Sequence, residues 1–168
     1  MIRDYFTVTT KKNDLSKSLY QKALNTAIRL LARRDHSTYE LTRKLKQRGF
    51  HQDTIAGVLS ECERFDYLND ERTVKGLIRQ LKHKGFGIKH IRLELNKKGL
   101  MGPYIEGILT KSVSEADERE CAERILLKHI RKFDRERDNL KRRNKIYRFL
   151  YSRGFAEGII LELIHKLG

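Results

Sequence analysis

Apolar residues recur at intervals of three and four along most of the chain, and one arrangement of them is written three times: Leu41-x3-Leu45-x3-Gly49-Phe50, Ile91-x3-Leu95-x3-Gly99-Leu100 and Ile146-x3-Leu150-x3-Gly154-Phe155. That spacing places the apolar side chains on one face of an α-helix. Agreement continues past each glycine, with Ile55, Ile105 and Ile160 six residues on, then the pairs Val58/Leu59, Ile108/Leu109 and Leu163/Ile164. The first two copies lie 50 residues apart and the last two 55. A period of that length, built from helical spacing, predicts tandem helical units, each too small to bury its apolar face alone.

Local signals divide each unit into three helices, here called a, b and c. An a-helix carries Leu24, Ala27, Ile28 and Leu31 in the first unit and Val74, Leu77, Ile78 and Leu81 in the second. The first b-helix opens on Ser37-Thr38-Tyr39-Glu40, a capping box in which the Ser hydroxyl and the Glu carboxylate satisfy free amides. Fifty residues on, Gly87 takes the place of Ser37, so Gly85-Phe86-Gly87 reads as a linker into a helix. A phosphate-cradling loop is the alternative, but its G-x-G-x-x-G pattern is broken by His90 and no strand precedes it.

Each b-helix is expected to end at the repeated glycine in the left-handed conformation that glycine adopts at little cost. Gly102-Pro103 reads as an N-cap followed by Pro at the first helical position, and Tyr67-Leu68-Asn69-Asp70-Glu71 as a short connection into an acidic helix start. The third unit opens with a long helix from about Ser114 to Phe133, with a break near Asp134 to Asp138. Residues 1–17 lack helical periodicity and read as a mobile or strand-like tail. The expected fold is all-α: three three-helix, helix-turn-helix-like repeats over residues 18–66, 67–113 and 114–168, forming an elongated curved molecule.

Charge adds a function class to this architecture. With 37 Lys and Arg against 22 Asp and Glu in 168 residues, the chain carries a formal charge of +15, which predicts a polyanion or an acidic protein surface as partner. Residues 75–98 hold eight basic residues against one acid and residues 137–153 seven against one, whereas residues 51–73 hold six acids against two Arg. The basic face is therefore assigned to the b-helices and their approaches: Arg33, Arg34, Arg43, Lys44, Lys46 and Arg48; Lys82, Lys84, Lys89, Arg92, Lys97 and Lys98; Lys141, Arg142, Arg143, Arg148 and Arg153. One position is basic in all three units, Arg48, Lys98 and Arg153 before the glycine, where the helix dipole alone favours a cation.

Catalytic patterns do not emerge. His36, His51, His83, His90, His129 and His165 are scattered without HExxH or paired-ligand spacing, and no serine stands in a nucleophile elbow. Asp70, Glu71, Asp117 and Glu118 fall near helix starts, where capping explains them. Cys62 and Cys121 have no CxxC partner and read as reduced, partly buried thiols. Tyr147, Phe149, Tyr151 and Phe155 could stack on bases, though core packing is expected of at least half. Neither enzyme nor cofactor is expected, nor a metal. No apolar run approaches a membrane span or a secretion signal, so a cytoplasmic monomer is expected.

The run Leu30-Leu31-Ala32-Arg33-Arg34-Asp35-His36-Ser37-x2-Glu40-Leu41-x3-Lys44-Leu45-x3-Gly49 resembles the signature of RecX, the bacterial regulator of the RecA recombinase. Tyr67-Leu68-Asn69-Asp70, Lys84-Gly85-Phe86-Gly87 with Ile91-x3-Leu95, and Arg148-Phe149-Leu150-x2-Arg153-Gly154-Phe155 agree with it; the tail and residues 131–144 depart from it. The resemblance implies a curved helical array that lodges in the groove of RecA filaments on single-stranded DNA and lowers their ATPase, strand-exchange and coprotease activities. Direct contact with single-stranded DNA would be weak and salt-dependent. A direct nucleic-acid-binding protein, with helix-turn-helix-like modules as readers, is the alternative.

Overall fold

The computed structural model describes the backbone of residues 2–167 and the side chains of residues 16–167; the described residues form nine helices and no strand. In order these are α1 (Ile2–Leu31), α2 (Thr38–Lys46), α3 (Gln52–Arg64), α4 (Asp70–His83), α5 (Ile88–Lys97), α6 (Pro103–Ser112), α7 (Glu115–Phe133), α8 (Asn139–Ser152) and α9 (Glu157–Lys166). The chain divides into two compact units, residues 1–73 and 74–168.

In the first unit α1, α2 and α3 enclose Ala23, Ala27, Leu41, Leu45, Ile55, Val58 and Cys62, with Leu68 closing the cluster. The b- and c-helix positions are those of the repeat, and three of the four expected a-helix positions join or flank this core, with Ile28 the exception and Ala23 an addition. Ala23 and Ala27 are fully buried, Leu24 and Leu31 half-buried, and Ile28 is exposed. Small side chains there allow α1 to lie close against α3, so the larger Leu and Ile fall beside the contact rather than in it. The α1 backbone is helical from Ile2, so the segment expected to be a strand-like tail is part of a helix; side chains up to residue 15 lie outside the described residues.

The capping box forms as expected: Glu40 N–H donates to Ser37 Oγ at 3.1 Å and Ser37 N–H to the Glu40 carboxylate at 3.4 Å. Gly49, Gly99 and Gly154 have φ of +82°, +71° and +79°. After each, the next amide reaches back to the carbonyl five residues earlier, Phe50 to Leu45, Leu100 to Leu95 and Phe155 to Leu150, at 3.3, 3.0 and 3.4 Å. The same closure ends α4 at Gly85 and, with a non-glycine residue, α3 at Asp66, whose φ is +55°. Asp can occupy this region, and its carboxylate accepts from Asn69 and Arg72.

The second unit holds two cores. One joins Val74, Ile78, Leu81, Ile91, Leu95, Leu100, Leu109 and Val113; the other centres on Ala122, Ile125, Ile146, Leu150, Phe155, Ile160 and Leu163. Gly102 and Pro103 open α6, and α7 starts from a capping box between Ser114 and Asp117. The helix break falls where the charged run suggests, with α7 ending at Phe133 and Asp138 capping α8.

Backbone contacts join the two cores. Gly87 N–H donates to Arg153 O at 2.9 Å and Lys89 N–H to Gly154 O at 3.1 Å. A Cβ on Gly87 would stand 2.5 Å from Gly154 O, and one on Gly154 would stand 2.4 Å from His90 N. The Glu118 carboxylate, buried on the first turns of α7, accepts from Ile88 N–H at the start of α5 and from Ala156 N–H before α9, both at 3.1 Å. The Gly85-Phe86-Gly87 segment is thus a helix linker whose amides are spent on protein carbonyls.

Candidate nucleic-acid and protein interface

Helix ends position the basic residues of the first unit. Arg34 is tied to the buried Glu40 carboxylate at 3.0 Å, so it completes the α2 cap. Arg33, Arg43, Lys46 and Arg48 are exposed and Lys44 is half-buried. Arg33 and Arg48 meet Arg29, a residue absent from the sequence-based set, around a hollow of about 280 Å³ that Thr26 and Leu30 complete. Arg29 Nε donates to Asn25 O at 3.3 Å and Arg48 Nη1 to Lys44 O at 2.8 Å, which orients each guanidinium along its own helix. The signal for Arg29 is its four-residue spacing from Arg33 across the end of α1, which assigning the basic face to b-helices hides.

In the second unit several of the expected cations are committed internally. Lys82 bridges Ser112 O and Asp117 at 3.0 and 3.1 Å. Arg92 holds Glu106 through two N–H groups at 2.9 and 2.5 Å, which raises the guanidinium pKa and lowers that of the carboxyl. Arg142 binds Asp134 at 2.6 Å. Arg153 donates to Lys84 O and Gly85 O, with its guanidinium over the rings of Phe86 and Phe149 at 5.4 and 4.8 Å. It belongs to the joint between the two cores.

Lys84, Lys89, Lys97, Lys141, Arg143 and Arg148 are exposed and Lys98 is half-buried. Lys97 pairs with Glu94, and Lys89 Nζ lies 5.9 Å from the Tyr151 ring centre.

The remaining polar groups are structural. Asp117 is pushed down to about 2 by the Ser114 hydroxyl and then by Lys82. His36 is buried, its Nδ1 donates to Arg34 O, and desolvation lowers its pKa. Burial raises the Cys62 and Cys121 thiols, which disfavours the nucleophilic thiolate. Of the four aromatic residues near the end of the chain, Phe155 is fully buried, Tyr147 and Phe149 partly so, and Tyr151 is exposed. Among the described residues no three His, Cys, Asp or Glu side chains gather as a metal site, and no helix is long and apolar enough to cross a membrane.

Repeated three-helix sets, closed by glycine turns and carrying cations beyond those the fold consumes, define a helical-repeat protein with exposed basic residues. Known proteins narrow the class. Residues 23–62 match the first three-helix domain of RecX and residues 116–164 the third. The chain is 36% identical to the regulatory protein RecX of Legionella pneumophila (strain Corby) over 87% of its own length and 95% of that protein. It is 32% identical to the regulatory protein RecX of Haemophilus influenzae (strain ATCC 51907 / DSM 11121 / KW20 / Rd), over 84% and 92%. The chain belongs to the RecX family of regulatory proteins. Its fold is shared with the crystal structure of RecX from Lactobacillus salivarius, with TM-score 0.78, 23% identity and coverage of 90% of this chain and 97% of that one.

Proposed function

We propose that the chain regulates RecA, mostly by inhibition, through binding along the groove of RecA filaments on single-stranded DNA. The observation that carries this reading is the set of exposed cations left after intramolecular pairing, Arg33, Arg43, Lys46 and Arg48 in one unit and Lys84, Arg143 and Arg148 in the other, in a chain of the RecX family. A filament groove offers acidic protein surface and DNA phosphate together, and contacts from several modules on one chain add through effective concentration. Occupancy then lowers ATPase, strand exchange and coprotease activity without chemistry by this chain, in keeping with thiols and carboxylates that serve the fold. DNA repair, recombination and the SOS response are the processes such a regulator enters, from the cytoplasm and as a monomer.

The test is RecA ATPase on single-stranded DNA titrated with the chain. Inhibition far below one chain per RecA supports blocking of growing ends, and inhibition near stoichiometry supports groove occupancy; no inhibition overturns the proposal. Direct nucleic-acid binding is the second reading, favoured by the three arginines that line the hollow at the helix ends of the first unit. Equal affinity for bare and RecA-coated single strands at one salt concentration would put it first.

A further inference from the structure

We infer that the hollow between the end of α1 and the end of α2 is a nucleotide subsite, in which Arg29, Arg33 and Arg48 grip one phosphodiester of a single strand and Leu30 meets the adjoining sugar. The inference rests on the DNA contact in the proposed function and assigns it a place. Three arginines line one space of about 280 Å³, and no acidic residue lines it with them. Among the described residues the Arg33 side chain has no hydrogen-bond or ion-pair partner; Arg29 and Arg48 each spend one N–H on a carbonyl of the adjoining helix and keep the rest.

The helix dipole explains a cation near either helix end, and any side-chain direction would serve it. It does not explain why cations from two helices converge on one hollow, where their mutual repulsion is an unrelieved cost until an anion enters. Thr26 does not relieve it, because its hydroxyl proton is donated to Lys22 O at 2.7 Å. The side-chain donors left to the residues that line the hollow are therefore those of its arginines.

Ligand geometry selects phosphate over a protein carboxylate. A carboxylate is planar and is matched by one guanidinium fork, whereas the non-bridging oxygens of a tetrahedral phosphodiester accept from several directions. The apolar Leu30 wall extends the space past the charged groups, as a nucleotide sugar requires and a lone carboxylate does not.

The experiment measures binding of the full chain to a fluorescein-labelled oligo(dT) by anisotropy across a salt series. The variant Arg29→Lys/Arg33→Lys/Arg48→Lys keeps charge and helix propensity but removes the forks, and weakens binding about tenfold if they grip a phosphate. Replacing all three by Ala lowers the slope of log K against log salt by about 0.7, one single-strand phosphate, and not by three times that amount. Circular dichroism checks that all variants remain helical. Unchanged affinity in the Lys variant, or a threefold larger slope change in the Ala variant, overturns the subsite alone. A parent chain that does not bind oligo(dT) overturns the DNA contact and the subsite with it. Loss of binding to RecA filaments with oligo(dT) affinity intact assigns the hollow to a protein carboxylate and also overturns the proposal.

Discussion

The turn at Gly49 and the turn at Gly154 share a sequence, a φ near +80° and a closing hydrogen bond, yet they do different work. Around Gly49 a Cβ would meet nothing within 4 Å, so glycine is there for its backbone conformation. Around Gly154 a Cβ would press on His90 N at 2.4 Å, so glycine is there for close approach as well. The arginines before them diverge in the same way: Arg48 lines an open hollow, while Arg153 is spent on the Lys84 and Gly85 carbonyls. A repeated motif thus records a shared local conformation, and the neighbours of each copy decide whether it is also a joint.

The comparison breaks most visibly at the glycines. Gly154→Ala should cost roughly 3 kcal/mol or more, because backbone strain and a clash with main chain add; Gly49→Ala should cost only about 1–2 kcal/mol from left-handed strain. Urea unfolding followed by circular dichroism checks the pair, and equal losses would remove the distinction drawn here. Next come the carboxylate caps. Glu118→Ala strands two amides and should destabilise the second unit by about 2–4 kcal/mol, with Glu118→Gln retaining much of the stability as an acceptor. Asp70, which accepts from Thr38 N–H in the first unit, serves a single amide, and Asp70→Ala should cost about 1 kcal/mol. Calorimetry of the three variants ranks them.

A smaller effect separates the paired arginines. Arg153→Ala should lower stability by about 1 kcal/mol, whereas Arg48→Ala should stay within about 0.5 kcal/mol and alter polyanion binding instead. The smallest differences are in pH dependence. His36 has a folded pKa below 6.5, so the unfolded state binds more protons just beneath that value; its stabilisation is present above pH 6.5 and is lost as pH falls through the folded pKa. Asp117 contributes stability present above pH 3.8 and lost as pH falls through about 2. Thermal melts of His36→Gln and Asp117→Asn should therefore flatten the pH profile below about 6.5 in the first case and below about 4 in the second.

The b- and c-helices were legible because Leu, Ile and Gly mark them directly: Leu41, Leu45, Ile91, Leu95, Ile146 and Leu150 are all buried, and all three glycines have positive φ. In the a-helix of the first unit hydropathy marks Leu24, Ala27 and Leu31, which join or flank the core, but passes over Ala23 and includes the exposed Ile28, because close helix packing selects small side chains. Charge was legible as an excess but not as a site. Sequence alone does not reveal that Arg34, Lys82, Arg92 and Arg142 meet acids, since Asp117 lies 35 residues from Lys82 and Glu106 lies 14 from Arg92. Arg29 was overlooked for the same reason, because its neighbours in the hollow include Arg48, 19 residues away in the turn that follows α2.

The double cap at Glu118 also sets an order of events during synthesis. Domains fold as they emerge from the ribosome, amino-terminal parts first. By residue 73 the chain has every group its first unit uses, down to the Asp70 carboxylate on Thr38. The start of α5 must wait: its Ile88 amide has no acceptor until Glu118 appears, and Gly87 none until Arg153 has been added. Residues 74–113 therefore spend the translation of some forty further codons with an unfinished helix start, and this stretch is where a nascent chain would be most open to proteases and chaperones.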